Sequence, residues 1–293
     1  MSEAAAARIT KPGLVYGMDD ETYHADPVPG GSLSSTFARL LTNHVPAKAD
    51  AIRRNRKLTA ALNVGKAAHR HALGVGPELV VYEHDGRTKA GKAERAEWAP
   101  KIATEAAIAV TMAERDQIRG MRDALLAHTE VQIIFATSKR EVSGFWQEGR
   151  TWCRARYDLL NDLAWDYKTT EDASARGFEV AMAAYGYHQQ AEFYQRGARA
   201  LGHPAGKHPM RFICQEKREP YLVQIHTCDD LAIEIGRELN DRAIALYAEC
   251  KRAGEWPGYD SLHAEPTELP NYYFFRHEAV IPSNLNPFTD EVA

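Results

Sequence analysis

An α/β (α+β) fold, a small mixed sheet flanked by helices, is predicted by three observations. Strand-like segments bunch in the middle of the chain, at residues 141–147, 151–160 and 163–169, with two more at 211–214 and 222–226. Helical patterns lie before, between and after them, the arrangement expected of a sheet with helices packed on it. The chain has 293 residues, 44% of them hydrophobic, which suffices for a substantial core in one large or two small domains.

Taken in order, residues 1–12 read as a flexible lead, 13–260 as the folded domain, and 261–293 as a Pro- and aromatic-rich tail containing Tyr272 to Phe275. Leu33-Ser34-Ser35-Thr36 offers capping hydroxyls ahead of the helical turn Phe37 to Leu41. A basic run follows (Lys48, Arg53, Arg54, Arg56, Lys57), then a helix over 58–73 with Leu58, Leu62, Ala68 and Leu73 loosely on one side. Glu78 to Glu83 suits a short strand, and Asp85-Gly86-Arg87-Thr88-Lys89-Ala90-Gly91-Lys92 a polar loop. Ala93 to Ala127 reads as largely helical with a break at Pro100. The strand pair 141–147 and 151–160 is joined by the turn Gln147-Glu148-Gly149-Arg150. Residues 177–201 read as one helix, and Asp229-Asp230 caps a last long helix reaching about Arg252.

Composition excludes several classes. The formal net charge is −4, so any polyanion is met by a local basic surface and not by overall charge. No run approaches the ~18 apolar residues of a membrane span, and the first ten residues lack the pattern of a secretory signal; a soluble, cytoplasmic protein is the expectation. Cys153, Cys214, Cys228 and Cys250 form no C-x-x-C pair, and read as scattered reduced thiols.

The chemistry centres on Asp166-Tyr167-Lys168. Side chains two apart on a strand share a face, so Asp166 and Lys168 point together while Trp165 and Tyr167 face the other way. The preceding strand sets Trp152, Arg154, Arg156 and Asp158 on one face, and the short connection Leu159 to Trp165 can bring Asp158 beside Asp166. Two carboxylates next to an ammonium suit phosphodiester hydrolysis. The acids need a hard cation, Mg²⁺ or Mn²⁺, to relieve their repulsion. The lysine can orient a water and stabilise charge growing on phosphorus, and Arg154 and Arg156 can contact phosphate. The triplet alone is common, and Glu249-Cys250-Lys251 matches it too, on a helix. Two further elements add to it: Gly65-Lys66-Ala67-Ala68-His69, whose histidine can supply a nitrogen ligand, and a helix presenting Gln190 and Tyr194 on one face. His71 is not paired with His69, because residues two apart on a helix diverge.

In order along the chain these pieces resemble the RecE-type (exodeoxyribonuclease VIII) phage exonucleases of the RecB-like PD-(D/E)xK nuclease superfamily. The resemblance rests on Gly65, Ala67 and His69; Glu141; Cys153-Arg154-Ala155-Arg156-Tyr157-Asp158; Asp166-Tyr167-Lys168-Thr169-Thr170; and Tyr187-His188-Gln189-Gln190-Ala191-Glu192-Phe193-Tyr194. Leu33-Ser34-Ser35, Arg87 to Lys92 and Trp256-Pro257 are similar outside the core, so the likeness runs from about residue 13 to 260. It implies a restriction-endonuclease-like core. His69, Asp158 and Asp166 would be metal ligands, Lys168 the catalytic lysine, and Gln190 and Tyr194 organisers of the site. Glu141 would be a supporting acid.

The resemblance further implies 5′-to-3′ degradation of one strand of linear double-stranded DNA from its ends to expose single strands for recombination. It also implies a homo-oligomeric ring and a RecT-type single-strand annealing partner. The expected DNA contacts are Arg53, Arg54 and Arg56, then Arg87, Lys89 and Lys92, with Arg154 and Arg156 at the site. Two rivals stay open. One is a non-catalytic DNA-end-binding protein that keeps the nuclease fold; the other is an endonuclease of the same superfamily, with the same residues but a different DNA path. An iron–sulfur nuclease is disfavoured because the first cysteine, Cys153, falls inside the core strands.

Overall fold

The computed structural model describes residues 8–55, 60–104, 107–259 and 267–270, and for 60–64 only the backbone. Most of the expected lead, the tail, Arg56, Lys57, Leu58 and Leu62 lie outside these residues or their described side chains. The chain divides into two compact units, residues 1–258 and 259–293, and all that follows concerns the first.

Strand β1 (Gly13–Val15), helix α1 (Asp20–His24), strand β2 (Leu33–Ser34) and helices α2 (Ser35–Asn43), α3 (Pro46–Arg54) and α4 (Ala60–Leu73) open the fold. A small lobe follows: β3 (Glu78–Tyr82), α5 (Lys89–Ala103), β4 (Ala107–Thr111), with β3 and β4 parallel. Helices α6 (Met112–Ala127) and α7 (Thr129–Thr137) lead to the central strands β5 (Lys139–Glu148), β6 (Thr151–Leu160) and β7 (Ala164–Thr170). Helices α8 (Ala175–Tyr185) and α9 (Tyr187–Ala200), strands β8 (Arg211–Glu216) and β9 (Val223–Thr227) and helix α10 (Asp230–Ala253) complete it. Among the described residues the main sheet runs β1-β5-β6-β7-β8-β9, with β2 beside β6. The β5–β6–β7 pairs are antiparallel and β7–β8 is parallel, so the sheet is mixed as expected.

The strand sequences explain their two-sided burial. Along β6, Cys153, Ala155 and Tyr157 are buried while Arg154, Arg156 and Asp158 are only partly so. The buried set packs with Trp146, Phe193 and Phe212 in a core beneath α2, α9 and α10. Trp165, Tyr167 and Ile213 face a second core with Leu73, Leu125 and Ile134 from α4, α6 and α7. Close approach of α9 to the sheet depends on Gly197, where a Cβ would come to 2.7 Å from the Trp146 ring. Phe193 then packs edge-on against Trp146 at 5.1 Å, a burial contributing about 2 kcal/mol. Polar caps fix the helix starts: Ser34 accepts from the Phe37 N–H, Asp229 from the Ala232 N–H, and Thr111 with Glu114 forms a capping box. Ahead of the boundary, Trp256 lies 5.4 Å from Phe37 and the Pro257 carbonyl accepts from the Ala47 N–H, closing the first unit on itself.

Three segments differ from the sequence expectation. Lys89 to Lys92 is the first turn of α5, capped by Thr88, and the polar loop is confined to its approach. Pro100 sits inside α5, and the break comes later, where β4 interrupts the run read as helix. Ala107-Ile108-Ala109-Val110-Thr111 offers no polar alternation, so it reads equally as helix; its pairing with β3 decides it. The helix expected over 177–201 is two helices, turned at Gly186, whose φ is +67°.

Candidate active site

The central hairpin creates the site. Strands β6 and β7 pair only at Leu159↔Trp165 and Leu160↔Ala164, then splay apart. Continuing that register puts Asp158 opposite Asp166 at the mouth of the fork. Asp158 uses the gap: its Oδ2 accepts from the Tyr167 N–H at 2.8 Å, a backbone donor that the missing ladder leaves available. On the other side, the β5–β6 pairs Arg140↔Leu159 and Val142↔Tyr157 place Glu141 opposite Asp158. Glu141 has φ +50°, uncommon for a side-chain-bearing residue, and its backbone departs from strand geometry there.

Helix α4 carries His69 to this point. Its Nε2 lies 3.0 Å from Asp158 Oδ2 and its Nδ1 3.7 Å from Glu141 Oε1. One ligand atom from each of His69, Glu141 and Asp158 falls within 4.8 Å of the others, a separation that one cation can bridge. Two carboxylates and an imidazole fit a divalent ion with tolerance for nitrogen, Mn²⁺ as well as Mg²⁺. Arg156 holds Glu141 in place by a short ion pair between its Nε and the carboxylate, and its Nη2 reaches both Asp20 and the Met18 carbonyl.

Asp166 stands beside this trio and not in it. Its Oδ1 accepts from Gln190 Nε2 at 2.6 Å and its Oδ2 meets Lys168 Nζ at 2.7 Å. Glu141, expected as a supporting acid, lies with His69 and Asp158, while Asp166, expected as a ligand, meets Lys168 and Gln190. Gln190 comes from α9, one turn ahead of Tyr194, as the four-residue spacing requires. Tyr194 packs against Tyr157 at 5.2 Å, and the Tyr157 hydroxyl donates to the Tyr194 carbonyl, tying α9 to β6.

The electrostatics follow from burial against mutual attraction. Burial alone would lower the His69 pKa, but Asp158, Glu141 and Asp166 outweigh it and hold the imidazole up to about 9. Burial would raise Asp158, yet His69, Lys168 and the Tyr167 N–H keep its carboxyl below the usual range. For Asp166 burial wins over Lys168, helped by the Asp158 charge, and the carboxyl is pushed up to about 6. Glu141 is raised by burial and by Asp158 against the pull of His69 and Arg156. Lys168 stays protonated because Asp166 and Asp158 overcome its desolvation. The Tyr194 phenol is driven far above its ordinary range by burial, then by Tyr23, Asp166 and Asp158, so it can donate a hydrogen bond but not act as a base.

The remaining expected residues are placed differently. Arg154 is spent inside the fold, on Asp26 at 2.5 Å and on Ser32 Oγ and carbonyl, and Arg156 on Glu141 and Asp20. Both were expected as phosphate contacts; here their guanidiniums are engaged by acids within the fold. Arg53 and Arg54 both pair with the buried Asp50 at 2.6 Å, and Arg53 also lies over the Phe37 ring. Arg87 pairs with Asp85, and Lys89 and Lys92 are exposed at the start of α5. Tyr187 was legible only as part of a motif without a role; it lies under Lys168, with Nζ 5.0 Å from its ring. Two tyrosines flanking Gly186 were the available sequence signal.

The family described as a PDDEXK-like domain of unknown function (DUF3799) matches residues 34–267. Among solved structures, a crystal structure from Eubacterium rectale named "Putative exonuclease" superposes with a TM-score of 0.56 at 12% identity. The match covers 86% of this chain and 94% of that one, and at this identity it is a likeness of fold. No curated protein sequence matches the chain.

Proposed function

Because the chain belongs to the PDDEXK-like family DUF3799, we propose that it is a metal-dependent exodeoxyribonuclease that degrades one strand of linear double-stranded DNA. The observation that carries the nuclease reading is the convergence of Asp158, Glu141 and His69 beside the Asp166–Lys168 pair at the fork between β6 and β7. A fold that had kept only DNA binding would have no need to gather three acids with a lysine at one point, since neighbouring carboxylates repel one another and raise the cost of their burial. The exonuclease direction, 5′-to-3′, rests on the resemblance to the RecE type. So do the recombination role, the ring-shaped oligomer and the RecT-type annealing partner. No described helix is long and apolar enough to cross a membrane.

His69, Glu141 and Asp158 would hold the cation, with Asp166 close by. The chemistry such a divalent ion would supply is polarisation of the scissile phosphate and a lowered pKa for an attacking water. The chain's own groups do the rest. Arg156 and the Tyr167 N–H fix the orientation of Glu141 and Asp158. Lys168, held by Asp166 and so by Gln190, presents a permanent positive charge where negative charge grows in the transition state.

End-labelled linear duplex is expected to be degraded with Mg²⁺ or Mn²⁺ and spared in chelator, while covalently closed circular DNA survives both. Linearisation or nicking of the closed circle at a comparable rate would favour the endonuclease reading. No cleavage of either substrate with either ion would remove the nuclease assignment.

Duplex must also be held by an acidic chain. The exposed Lys89 and Lys92 on α5 are the better test of this than the Arg53–Arg54 pair, because reversing those arginines would leave Asp50 buried without a counter-ion. Lys89→Gln with Lys92→Gln is expected to lower duplex affinity and to flatten the slope of log Kd against log salt by about two, roughly one per phosphate contact. An unchanged slope would show that these lysines meet only solvent.

A further inference from the structure

A large aromatic is left on the surface at one corner of the site. Tyr185, the last residue of α8, is 58% exposed. A single exposed aromatic needs no explanation, but this one continues a connected set of rings. Its ring lies 5.8 Å from Tyr187 at 31°, and Tyr187 in turn carries Lys168 Nζ at 5.0 Å. Behind them Tyr187 stacks on Phe212 at 5.4 Å and 24°, and on Phe178 at 6.0 Å and 29°. The outer ring is therefore backed by core, with its exposed side toward solvent and its inner neighbour against the lysine.

The corner is also locked. Gly186 turns the chain from α8 into α9 at φ +67°, which a side chain rarely tolerates, and a Cβ there would come to 2.7 Å from Arg39 Cδ. Arg39 donates through Nη1 to the Tyr185 carbonyl, bridging α2 to this turn. Two cations, Arg39 and Lys168, thus border an aromatic pair carried on a fixed backbone turn.

We propose that Tyr185 and Tyr187 are a stacking platform for an unpaired base of the strand being cut, seated beside the phosphate that Lys168 meets. The proposal rests on the nuclease reading and deepens it. Within a duplex each base has both faces covered by its neighbours, so a fixed aromatic face can meet only a terminal or unpaired base. Base–aromatic stacking is indifferent to sequence and raises affinity by roughly ten-fold or more per base. A platform next to the catalytic lysine selects DNA by its ends and not by its letters, the property an exonuclease requires.

The test places 2-aminopurine as the terminal base of a linear duplex, or at an internal paired position, and follows its fluorescence on binding in chelator, where nothing is cut. The wild type is expected to quench the terminal probe and not the internal one. Tyr185→Ala should lose the quenching and bind a single-stranded oligonucleotide about 10-fold more weakly, while Tyr185→Trp keeps both. Full quenching in Tyr185→Ala, no terminal quenching in the wild type, or equal loss in the alanine and tryptophan variants would overturn the platform. The nuclease reading is judged apart from this by adding Mg²⁺ or Mn²⁺: quenching without cleavage would overturn that reading and leave a platform that only binds.

Discussion

Asp166→Asn is expected to abolish metal-dependent cleavage, by roughly 10³-fold or more, while the protein stays folded. The loss follows from geometry. Asp166 joins Lys168, at 2.7 Å, to Gln190, at 2.6 Å, and it lies next to Asp158 at the fork. A neutral amide can still meet Gln190 but no longer holds the ammonium by charge. The expected stability goes the other way. Burial, against Lys168 and with Asp158, pushes the Asp166 carboxyl up to about 6 from its ordinary 3.8. Between those values the folded chain keeps a proton that the unfolded chain has released, so the folded state loses stability as pH rises and has lost on the order of 2–3 kcal/mol above pH 6. Asparagine has no such proton. In chelator at pH 8, Asp166→Asn is therefore expected to melt at or above the wild-type temperature, with the advantage shrinking toward pH 4. Cleavage within ten-fold of wild type by a folded Asp166→Asn protein would remove Asp166 from the site. A much lower Tm at pH 8 would show instead that the carboxylate holds the fold together.

The sheet was legible because β-strand alternation is a strong local signal: β6 begins and ends where the alternating pattern does, and Asp158, Asp166 and Lys168 were placed by it. What local pattern cannot supply is the third dimension. Nothing in the spacing of Glu141 says that it leaves strand geometry at φ +50° to approach His69, or that the β6–β7 ladder stops after two pairs and turns the Asp158 oxygen onto a backbone N–H. The partners of the arginines were hidden for the same reason. Strand parity put Arg154 and Arg156 on the Asp158 face, which holds, but parity is blind to Asp20, Asp26 and Glu141 waiting across that face to neutralise them. The strand Ala107–Thr111 escaped because five small or apolar residues without alternation fit helix and buried strand alike until β3 pairs with them. The turn at Gly186 was hidden inside a helical pattern that resumes at Tyr187, directly after it.

Lys168→Ala is expected to lower kcat by about 10²–10³-fold while duplex Kd, measured in chelator, changes only a few-fold. The reason lies in when the ammonium acts. It is already paired with Asp166 in the unliganded protein, so a ground-state phosphate gains little from it. As the bond breaks, negative charge accumulates on the phosphoryl oxygens, and an ammonium fixed between Asp166 and the Tyr187 ring needs no rearrangement to meet it. The two acids keep Lys168 protonated against its burial, so it works as a donor and not as a base. Two consequences separate this role from a structural one. The pH–rate profile of the wild type should show no limb from deprotonation of this lysine near neutrality. Lys168→Arg, which keeps the charge, should recover only a small part of kcat, because a planar, longer guanidinium cannot occupy the point between carboxylate and ring that a compact ammonium fills. If Lys168→Ala instead weakened duplex binding by the full factor and left kcat unchanged at saturation, Lys168 would be a phosphate anchor, and the charge that stabilises the transition state would have to come from elsewhere in the fork.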